Sequence, residues 1–395
     1  MTPQAVARIQ SSRNMLAVLI GVAIPISTAL TSILIAVVLV LLLIHPDRRR
    51  YLTLIRSNMV AMLAIALFAV MMLGILYSPE SMGQVWDGTS KYHKLLYIPL
   101  FVVAFEEARA RRNAIAAFLV VMGWTLLLSY LIAFSGWDLG KGTADNPFVY
   151  KSHITQGFLM SLAAYFLIVI AAQSPRWRWV CIAGAALAAY NVLFMTQGRT
   201  GYLVLASLLL LFTYQMFRMR GVLAGLAALT LLGAFAYSMS SVVGSRVDEV
   251  STDWQGFRDG KVDTSVAYRL AFYENSARLL AKNPLLGAGA GTFDSEYREL
   301  AAETGSPRTG NPHNEYLMIA VQWGFVGVGL FIGLLCGMWR FSARLSITHG
   351  RMAQGVVVAM AVGCVFNSLL LDFTEGHAFV YLTGVLFAGL PPSRS

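Results

Sequence analysis

The fold is decided by residues 15–44, MLAVLIGVAIPISTALTSILIAVVLVLLLI, a stretch of 30 residues without a charged side chain. A single helix of this length would reach about 45 Å, whereas the hydrocarbon core of a bilayer is only about 30 Å thick. Pro25 and Ser27, followed by further hydroxyl residues, lie near its middle. We therefore predict two membrane-spanning helices, 15–29 and 30–44, joined by a tight turn.

Similar apolar runs recur along the whole chain. Of its 395 residues, 57% are hydrophobic and only 13% are charged, whereas a soluble domain carries about 25% charged residues. Charge is too scarce to cover a water-exposed surface of this size. We predict an all-α polytopic membrane protein with about 12 transmembrane helices, at 15–29, 30–44, 57–77, 93–105, 114–136, 152–172, 180–197, 201–217, 222–243, 314–337, 354–371 and 377–390.

The basic residues predict how these helices are oriented. With the N-terminus in the cytoplasm, the inside segments hold 17 of the 30 basic residues and the short outside loops hold five. Short loops rich in Lys and Arg face the cytoplasm. The net charge of +10 therefore indicates membrane orientation and not binding to nucleic acid. All three cysteines lie in apolar runs, which excludes a disulfide framework and a zinc site.

One outside segment departs from this pattern. Residues 244–312 carry polar and charged side chains at the density of a soluble protein, so we predict a large, partly helical loop there. The loop separates helices 1–9, within residues 1–243, from helices 10–12 and a short cytoplasmic tail, within residues 313–395. Its acidic residues do not follow the spacing of a known calcium loop and are interleaved with basic ones, so we predict no metal site.

Two helices are expected inside this loop. Apolar and aromatic residues recur at helical spacing over 265–280, with charges between them, which predicts an amphipathic helix at the outer surface. An Asn-Pro pair at 283–284 ends it, and the glycines of 287–291 indicate a flexible turn. A second helix follows at roughly 294–303.

His313 is the candidate base. It opens the span that follows the loop, with Asn314 and Glu315 beside it and Tyr316 next along the chain. A histidine at the membrane surface can accept a proton near neutral pH. The alternative is that His313 only caps the start of the helix, and the residues alone leave both readings open.

Two arginines are candidates for binding an anion. Arg199 lies in a very short turn between two spans, and Arg269 lies on the predicted surface helix. An arginine near the membrane is costly unless it is paired, and its planar fork of donors suits phosphate oxygens. The alternatives are an ion pair with a loop carboxylate or contact with lipid headgroups.

Three further residues at the outer surface are weaker candidates. Lys91 and Lys94 flank an aromatic pair, and His153 lies beside Lys151 at the end of a span. Each is a possible secondary contact to a ligand, as are Asn314, Glu315 and Tyr316 next to His313. Anchoring at the membrane interface explains them equally simply.

Several motifs together resemble those of the O-antigen ligase and polymerase superfamily, and most closely the O-antigen ligases. They cover about residues 180 to 340 and read GRTG at 198–201, YR at 268–269, NPLLGAG at 283–289, HNEYL at 313–317 and GFVG at 324–327. The remainder of the chain is similar only in its hydropathy pattern and number of spans.

This resemblance implies an enzyme of the bacterial inner membrane whose large loop and active site face the periplasm. It implies transfer of O-antigen polysaccharide from undecaprenyl pyrophosphate to a sugar hydroxyl of lipid A–core, with no cofactor and no metal. The loop histidine of the family corresponds to His313, and its two pyrophosphate-binding arginines correspond to Arg199 and Arg269. The expected partners are the lipid-linked glycan, lipid A–core and membrane lipid.

Other functions remain open at this stage. Within the superfamily, the chain could polymerise repeat units or transfer a glycan to a protein hydroxyl. Polymerases often carry a second sizeable outside loop, whereas the other outside segments here, 78–92 and 137–151, are short. A transporter is disfavoured because almost every charge lies outside the spans and the two halves of the chain do not match.

Overall fold

The computed structural model describes residues 2–239 and 264–391, and it confirms the predicted all-α class because these residues form helices and no strand. The described helices, in chain order, are α1 (Pro3–Ile26), α2 (Thr28–Ile44), α3 (Arg48–Ser57), α4 (Met59–Leu73), α5 (Met82–Thr89), α6 (Tyr97–Ala104), α7 (Ala108–Ser135), α8 (His153–Gln173), α9 (Arg178–Tyr190), α10 (Arg199–Met239), α11 (Ser265–Lys282), α12 (Phe293–Thr304), α13 (Glu315–Ser342), α14 (Ile347–Phe366) and α15 (Phe373–Phe387).

Eight helices of the described chain are long and apolar enough to cross a membrane, or nine if the bent pair α2 and α3 counts as one span. The chain is therefore a multi-pass membrane protein, and the number of twelve spans stays a prediction. The predicted run 93–105 contains α6, which has only eight residues. Ile98 and Phe101 of α6 are fully buried, so this short helix lies inside the bundle, against α4 and α15.

The long apolar stretch breaks at Ser27, close to the predicted boundary between 15–29 and 30–44. Its N–H donates to the carbonyl of Ala23 (2.8 Å) and so ends α1, while its hydroxyl accepts from the N–H of Leu30 (3.3 Å) and so begins α2. Serine is a preferred N-cap, and Pro25 cannot continue the hydrogen-bonding pattern of a helix. The two helices pack against each other as a hairpin.

α10 also turns back on itself, at Arg218. This residue has φ 56° and ψ −143°, far from helical values. Beyond it, Gly225 lies against the side chains of Leu210 and Thr213, so the two halves of α10 run side by side. The halves correspond to the predicted spans 201–217 and 222–243, of which residues 240–243 lie outside the described chain.

Contacts between distant segments sort the helix ends into two groups. Segments predicted to lie inside contact each other, as in the ion pair between Arg50 and Glu106. At the opposite end, the Asn367 amide, near the end of the predicted span 354–371, donates to the hydroxyl of Thr200 in a turn predicted to lie outside (2.6 Å). We call these two ends of the bundle the inner end and the outer end.

The predicted outer loop contains the two expected helices, α11 and α12, while its first part, 244–263, lies outside the described residues. The glycine-rich turn between them differs from the flexible turn that the sequence indicated, because it is docked into a break in α13. The N–H groups of Ala288 and Gly289 donate to the carbonyls of Val321 (2.8 Å) and Gln322 (3.0 Å). At the break Gly324 has φ 60°, and a Cβ there would overlap the backbone of Leu285.

Candidate active site

His313 lies at the outer end, immediately before α13, in a backbone conformation that is rare for a residue with a side chain. Its φ is 54°, and a conformation of this kind costs about 1–3 kcal/mol and persists only where the surroundings impose it. The His313 N–H donates to Asn311 Oδ1 (2.8 Å), and its carbonyl accepts from the hydroxyl of Tyr273 (3.2 Å). Both peptide groups of the histidine are thus held from outside α13.

The cap of α13 is Asn314 and not His313. The side-chain oxygen of Asn314 accepts from the N–H of Leu317 (3.1 Å), as N-cap residues do. The imidazole of His313 is left to pack against Phe272, with ring centroids 6.2 Å apart at 28°. The simple capping alternative for His313 therefore has no support in the geometry.

The imidazole lines a cavity of about 390 Å³, which we call the histidine cavity. Its other walls include Lys141, Lys151 and Asn367. Burial lowers the pKa of His313 below its ordinary value of 6.5, and the positive charge of Arg269 lowers it further. The imidazole is therefore neutral at pH 7 and able to accept a proton.

Arg199 and Arg269 approach the same place from different elements. Arg199 begins α10, and Arg269 lies half-buried on α11. Burial lowers the pKa of Arg269, and the nearby charge of Arg199 adds to this effect. The structure thus brings Arg269 within electrostatic reach of both Arg199 and His313, although 114 positions separate Arg199 from His313 in the sequence.

The turn that carries Arg199 is shaped by the end of the preceding span. That span ends in a π-helical turn, Asn191–Met195, a feature often found at functional sites. The buried Asn191 amide donates to Ser129 Oγ (2.8 Å) and accepts from Gln156 (3.2 Å). After the turn, Gly201 packs directly on Gly157 of α8, because neither has a side chain to separate the backbones.

A chain of hydrogen bonds connects the Arg199 turn with His313. Thr200 accepts from Asn367, as described above, and the adjacent Ser368 donates its hydroxyl to Asn311 Oδ1 (2.7 Å). That same amide oxygen accepts the N–H of His313. Thr200, Asn367 and Ser368 are all buried, whereas Asn311 is half-buried and lines the histidine cavity.

Glu315 and Tyr316 point away from the histidine cavity. Glu315 is fully buried, and its carboxylate accepts from the Tyr92 hydroxyl (2.9 Å) and from the N–H groups of Leu370 (2.8 Å) and Leu371 (3.0 Å). Tyr316 donates to the carbonyl of Ala361 on α14 (2.9 Å). In this geometry both residues hold α13 to its neighbours.

The weaker candidates lie at different depths. Lys94 is 2% exposed and donates to the carbonyls of Leu371 (3.1 Å) and Asp372 (2.7 Å), whereas Lys91 is exposed. His153 begins α8, with its backbone against Gly198 in the Arg199 turn. None of the weaker candidates lines the histidine cavity.

Sequence reasoning missed the segment between α14 and α15. This segment supplies Asn367 and Ser368 to the hydrogen-bonded chain and Asp372 to the walls of the histidine cavity, to which the first turn of α15 adds Glu375. The only available signal was the polar sequence DFTEGH at 372–377 between two apolar runs. That signal does not say which other residues these side chains meet.

The fold is that of a polytopic helical membrane protein, and at the outer end of the bundle Arg269 lies within electrostatic reach of both Arg199 and His313. Residues 183–332 match the family model described as O-antigen ligase, so the chain carries a domain of the O-antigen ligase family. This match confirms the resemblance inferred from the motifs. Arg199, Arg269 and His313 all lie inside it.

The fold also has a solved relative. A chain from a structure described as "Structural coordination of polymerization and crosslinking by a peptidoglycan synthase complex" is similar with a TM-score of 0.50 and 15% sequence identity. The similarity covers 84% of this chain and 96% of that chain. At this identity the likeness concerns the fold alone. Comparison with curated proteins gives no match.

Proposed function

We propose that this protein transfers O-antigen polysaccharide from undecaprenyl pyrophosphate to a sugar hydroxyl of lipid A–core, at the periplasmic face of the bacterial inner membrane. The observation that carries the proposal is that Arg269 lies within electrostatic reach of both Arg199 and His313, and that all three lie inside the region that matches the O-antigen ligase model. A lone histidine or arginine at a membrane surface would not indicate a reaction. These three together suit a reaction that needs a base and a diphosphate leaving group.

The arginines are assigned to the leaving group. When the bond between the anomeric carbon and the pyrophosphate oxygen breaks, negative charge develops on the diphosphate. Guanidinium groups of Arg199 and Arg269 suit this charge because each presents a planar fork of donors to phosphate oxygens. Fixed cations in a partly buried site stabilise such charge more than water does.

His313 is assigned to the acceptor. As the sugar hydroxyl forms its new bond to the anomeric carbon, the neutral imidazole takes the hydroxyl proton. In the absence of substrate, the positive charges of the arginines oppose protonation of His313. The negative charge of a bound diphosphate would compensate these positive charges. Undecaprenyl pyrophosphate leaves from the opposite side of the sugar, so one inverting displacement suffices without a covalent intermediate.

The direct test is a transfer assay with purified protein, lipid-linked glycan and lipid A–core in excess EDTA. We expect glycosylated lipid A–core to form under these conditions. Activity that requires an added divalent ion would replace the arginine mechanism with a metal-dependent one. In cells, deletion should leave core-only lipopolysaccharide while lipid-linked polymer accumulates.

The main alternative is polymerisation on the same lipid carrier. The fold similarity to the chain from a peptidoglycan synthase complex keeps this alternative open. A polymerase would lengthen the lipid-linked glycan in the absence of lipid A–core, and a protein glycosyltransferase would require a protein acceptor. Each outcome in the purified assay would redirect the proposal within the superfamily.

Orientation is tested by labelling a single cysteine in a variant without the native ones. Glu303→Cys, at an exposed position of α12, should react with a membrane-impermeant maleimide when only the outer membrane is permeable. Arg220→Cys, beyond the turn at Arg218, should stay protected until the inner membrane is lysed. The reverse pattern would contradict the periplasmic site.

A further inference from the structure

A second cavity adjoins the histidine cavity. It has a volume of about 470 Å³ and shares Asn311, Asp372 and Phe373 with the histidine cavity. We call it the lysine cavity, because Lys91 and Lys94 both line it. A molecule in the lysine cavity lies one side chain away from the space beside His313.

One wall of the lysine cavity is a continuous row of rings. His93 packs edge-on against Tyr97 (centroids 5.2 Å apart), Tyr97 contacts His377 (5.7 Å), and His377 stacks on Phe373 (3.9 Å). Large, rigid ring surfaces with a polar edge suit ligands that are themselves part apolar and part polar. A pyranose is such a ligand, since its C–H face is apolar and its rim carries hydroxyls.

The remaining walls supply polar partners. Ser32, Ser90 and Asn311 bring hydroxyl and amide groups to the cavity, and groups of this kind can donate to and accept from sugar hydroxyls. The volume lies within the range of small-molecule sites, about 300–1,000 Å³. The combination of an aromatic wall with scattered hydrogen-bonding groups fits a saccharide better than a lipid chain.

The two lysines differ in whether their ammonium groups already form hydrogen bonds within the protein. Lys94 is buried and donates to two backbone carbonyls at 3.1 and 2.7 Å. Lys91 is exposed and makes no hydrogen bond or ion pair with any residue of the described chain. Lys94 therefore stabilises the wall. The ammonium of Lys91 lies within electrostatic reach of the Asp372 carboxylate, which lines the same cavity, but it forms no ion pair with that carboxylate and can bind a ligand that carries negative charge.

We infer that the lysine cavity is the acceptor subsite and that it binds a saccharide bearing an anionic group, a phosphate or a carboxylate, which pairs with Lys91. This inference rests on the proposed function. In the proposed function, the arginines hold the donor pyrophosphate. An inverting displacement then requires the acceptor to approach from the side opposite the leaving group. The shared residue Asn311, which also binds the N–H of His313, connects the subsite with the base.

Binding is tested with a matched pair of probes, trehalose 6-phosphate and trehalose, by saturation-transfer NMR on the purified full-length protein. We expect trehalose 6-phosphate to bind more tightly, with saturation transferred from aromatic protons to its ring protons. Lys91→Gln should weaken trehalose 6-phosphate binding about tenfold, since a hydrogen bond to a charged group is worth about 1.5–3 kcal/mol. Trehalose binding should not change.

Two variants serve as controls. Lys282→Gln removes the same charge from an exposed site at the end of α11 and should change nothing. Phe373→Leu should weaken both probes, because it removes one ring of the wall while keeping an apolar side chain. The inference would be overturned if wild type and Lys91→Gln bound trehalose 6-phosphate and trehalose equally well. It would also be overturned if Lys282→Gln lost as much affinity for trehalose 6-phosphate as Lys91→Gln does.

Kinetic measurements test whether the saccharide bound in the lysine cavity is the acceptor, which the binding experiment does not decide. In the transfer assay, Lys91→Gln should raise KM for lipid A–core and leave KM for the lipid-linked glycan unchanged. A rise confined to the donor would assign the cavity to the donor glycan and overturn the inference. If wild type transfers no glycan but still binds trehalose 6-phosphate through Lys91, the saccharide site stands and the proposed function fails. His313→Asn should bind both probes as wild type does.

Discussion

His313 and Arg218 are the two non-glycine residues of the described chain that have a positive φ, 54° and 56°, and they lie at opposite ends of the bundle. Arg218 lies at the exposed turn between the halves of α10. The inner location of this turn follows from Arg351, at the start of α14, which donates to the carbonyl of Gln215 (3.4 Å).

The difference lies in what holds each backbone. At His313, the Asn311 amide and the Tyr273 hydroxyl bind the N–H and the carbonyl, and Phe272 packs against the ring. At Arg218, the side chain is exposed and the turn only reverses the chain. Backbone strain indicates a functional residue where the surroundings impose it beside a cavity. A positive φ by itself does not indicate a functional residue.

The sharpest test of this comparison is His313→Asn. Asparagine tolerates positive φ better than most residues, so the fold should remain intact while the base is lost. We expect turnover to fall by about 10²–10⁴-fold, the usual range for removal of a general base. The matched control is His349→Asn at the inner end, which should keep wild-type turnover. Wild-type turnover in His313→Asn would remove the proposed base.

The pH dependence of the wild-type enzyme provides a second check on His313. The imidazole works in its neutral form, and burial and Arg269 lower its pKa below 6.5. The specificity constant kcat/KM, which reports the unliganded enzyme, should therefore be constant around pH 7 and fall only as the pH drops through that lowered pKa. Loss of activity that begins above pH 6.5 would show that another group titrates.

Arg199→Ala should reduce transfer by about 10²–10³-fold, the range seen when one preorganised donor to a developing anion is removed. Arg199→Lys should recover little, because a point charge cannot reproduce the planar fork. The corresponding substitutions of Arg269 should have the same effects as those of Arg199. Arg278→Ala is the control, since Arg278 is exposed on the same α11 and pairs with Glu274 (2.6 Å). Full activity in Arg199→Lys would reduce the role of Arg199 to charge alone.

Ser368→Ala tests the hydrogen-bonded chain between the Arg199 turn and His313. It removes the donor to Asn311 Oδ1, a neutral hydrogen bond worth about 0.5–1.5 kcal/mol. We expect kcat to fall several-fold with little change in donor KM, and Ser368→Thr to restore it by keeping the hydroxyl. An unchanged kcat in Ser368→Ala would show that the chain does not position the histidine.

The smallest effect is expected at Arg218. Glycine adopts φ 56° and ψ −143° freely, so Arg218→Gly removes strain, although it also increases the entropy of the unfolded chain. We expect a gain of about 1 kcal/mol in stability, measured as a higher melting temperature in detergent, and unchanged transfer. A large loss of transfer would mean that the inner turn affects the active site.

Much of the fold follows from the sequence because its causes are local. A charge-free run longer than a bilayer must break, and Pro25 and Ser27 decide where. The amphipathic pattern of α11 and the Asn283 that follows it set where that helix lies and ends. The identity of three candidate residues, His313, Arg199 and Arg269, also came from motifs and from the chemistry of their side chains.

The arrangement of the site depends on the tertiary structure. Asn367 meets Thr200 across 167 positions, and the Glu315 carboxylate turns to Tyr92 across 223 positions, toward the bundle and away from the histidine cavity. Likewise, Lys91 and Lys94 are three residues apart, yet one is exposed and the other is buried. Periodicity and capping signals describe the chain within a few turns of a residue. Which polar groups meet depends on how helices distant in sequence pack, and on the need to satisfy every buried donor and acceptor once they do.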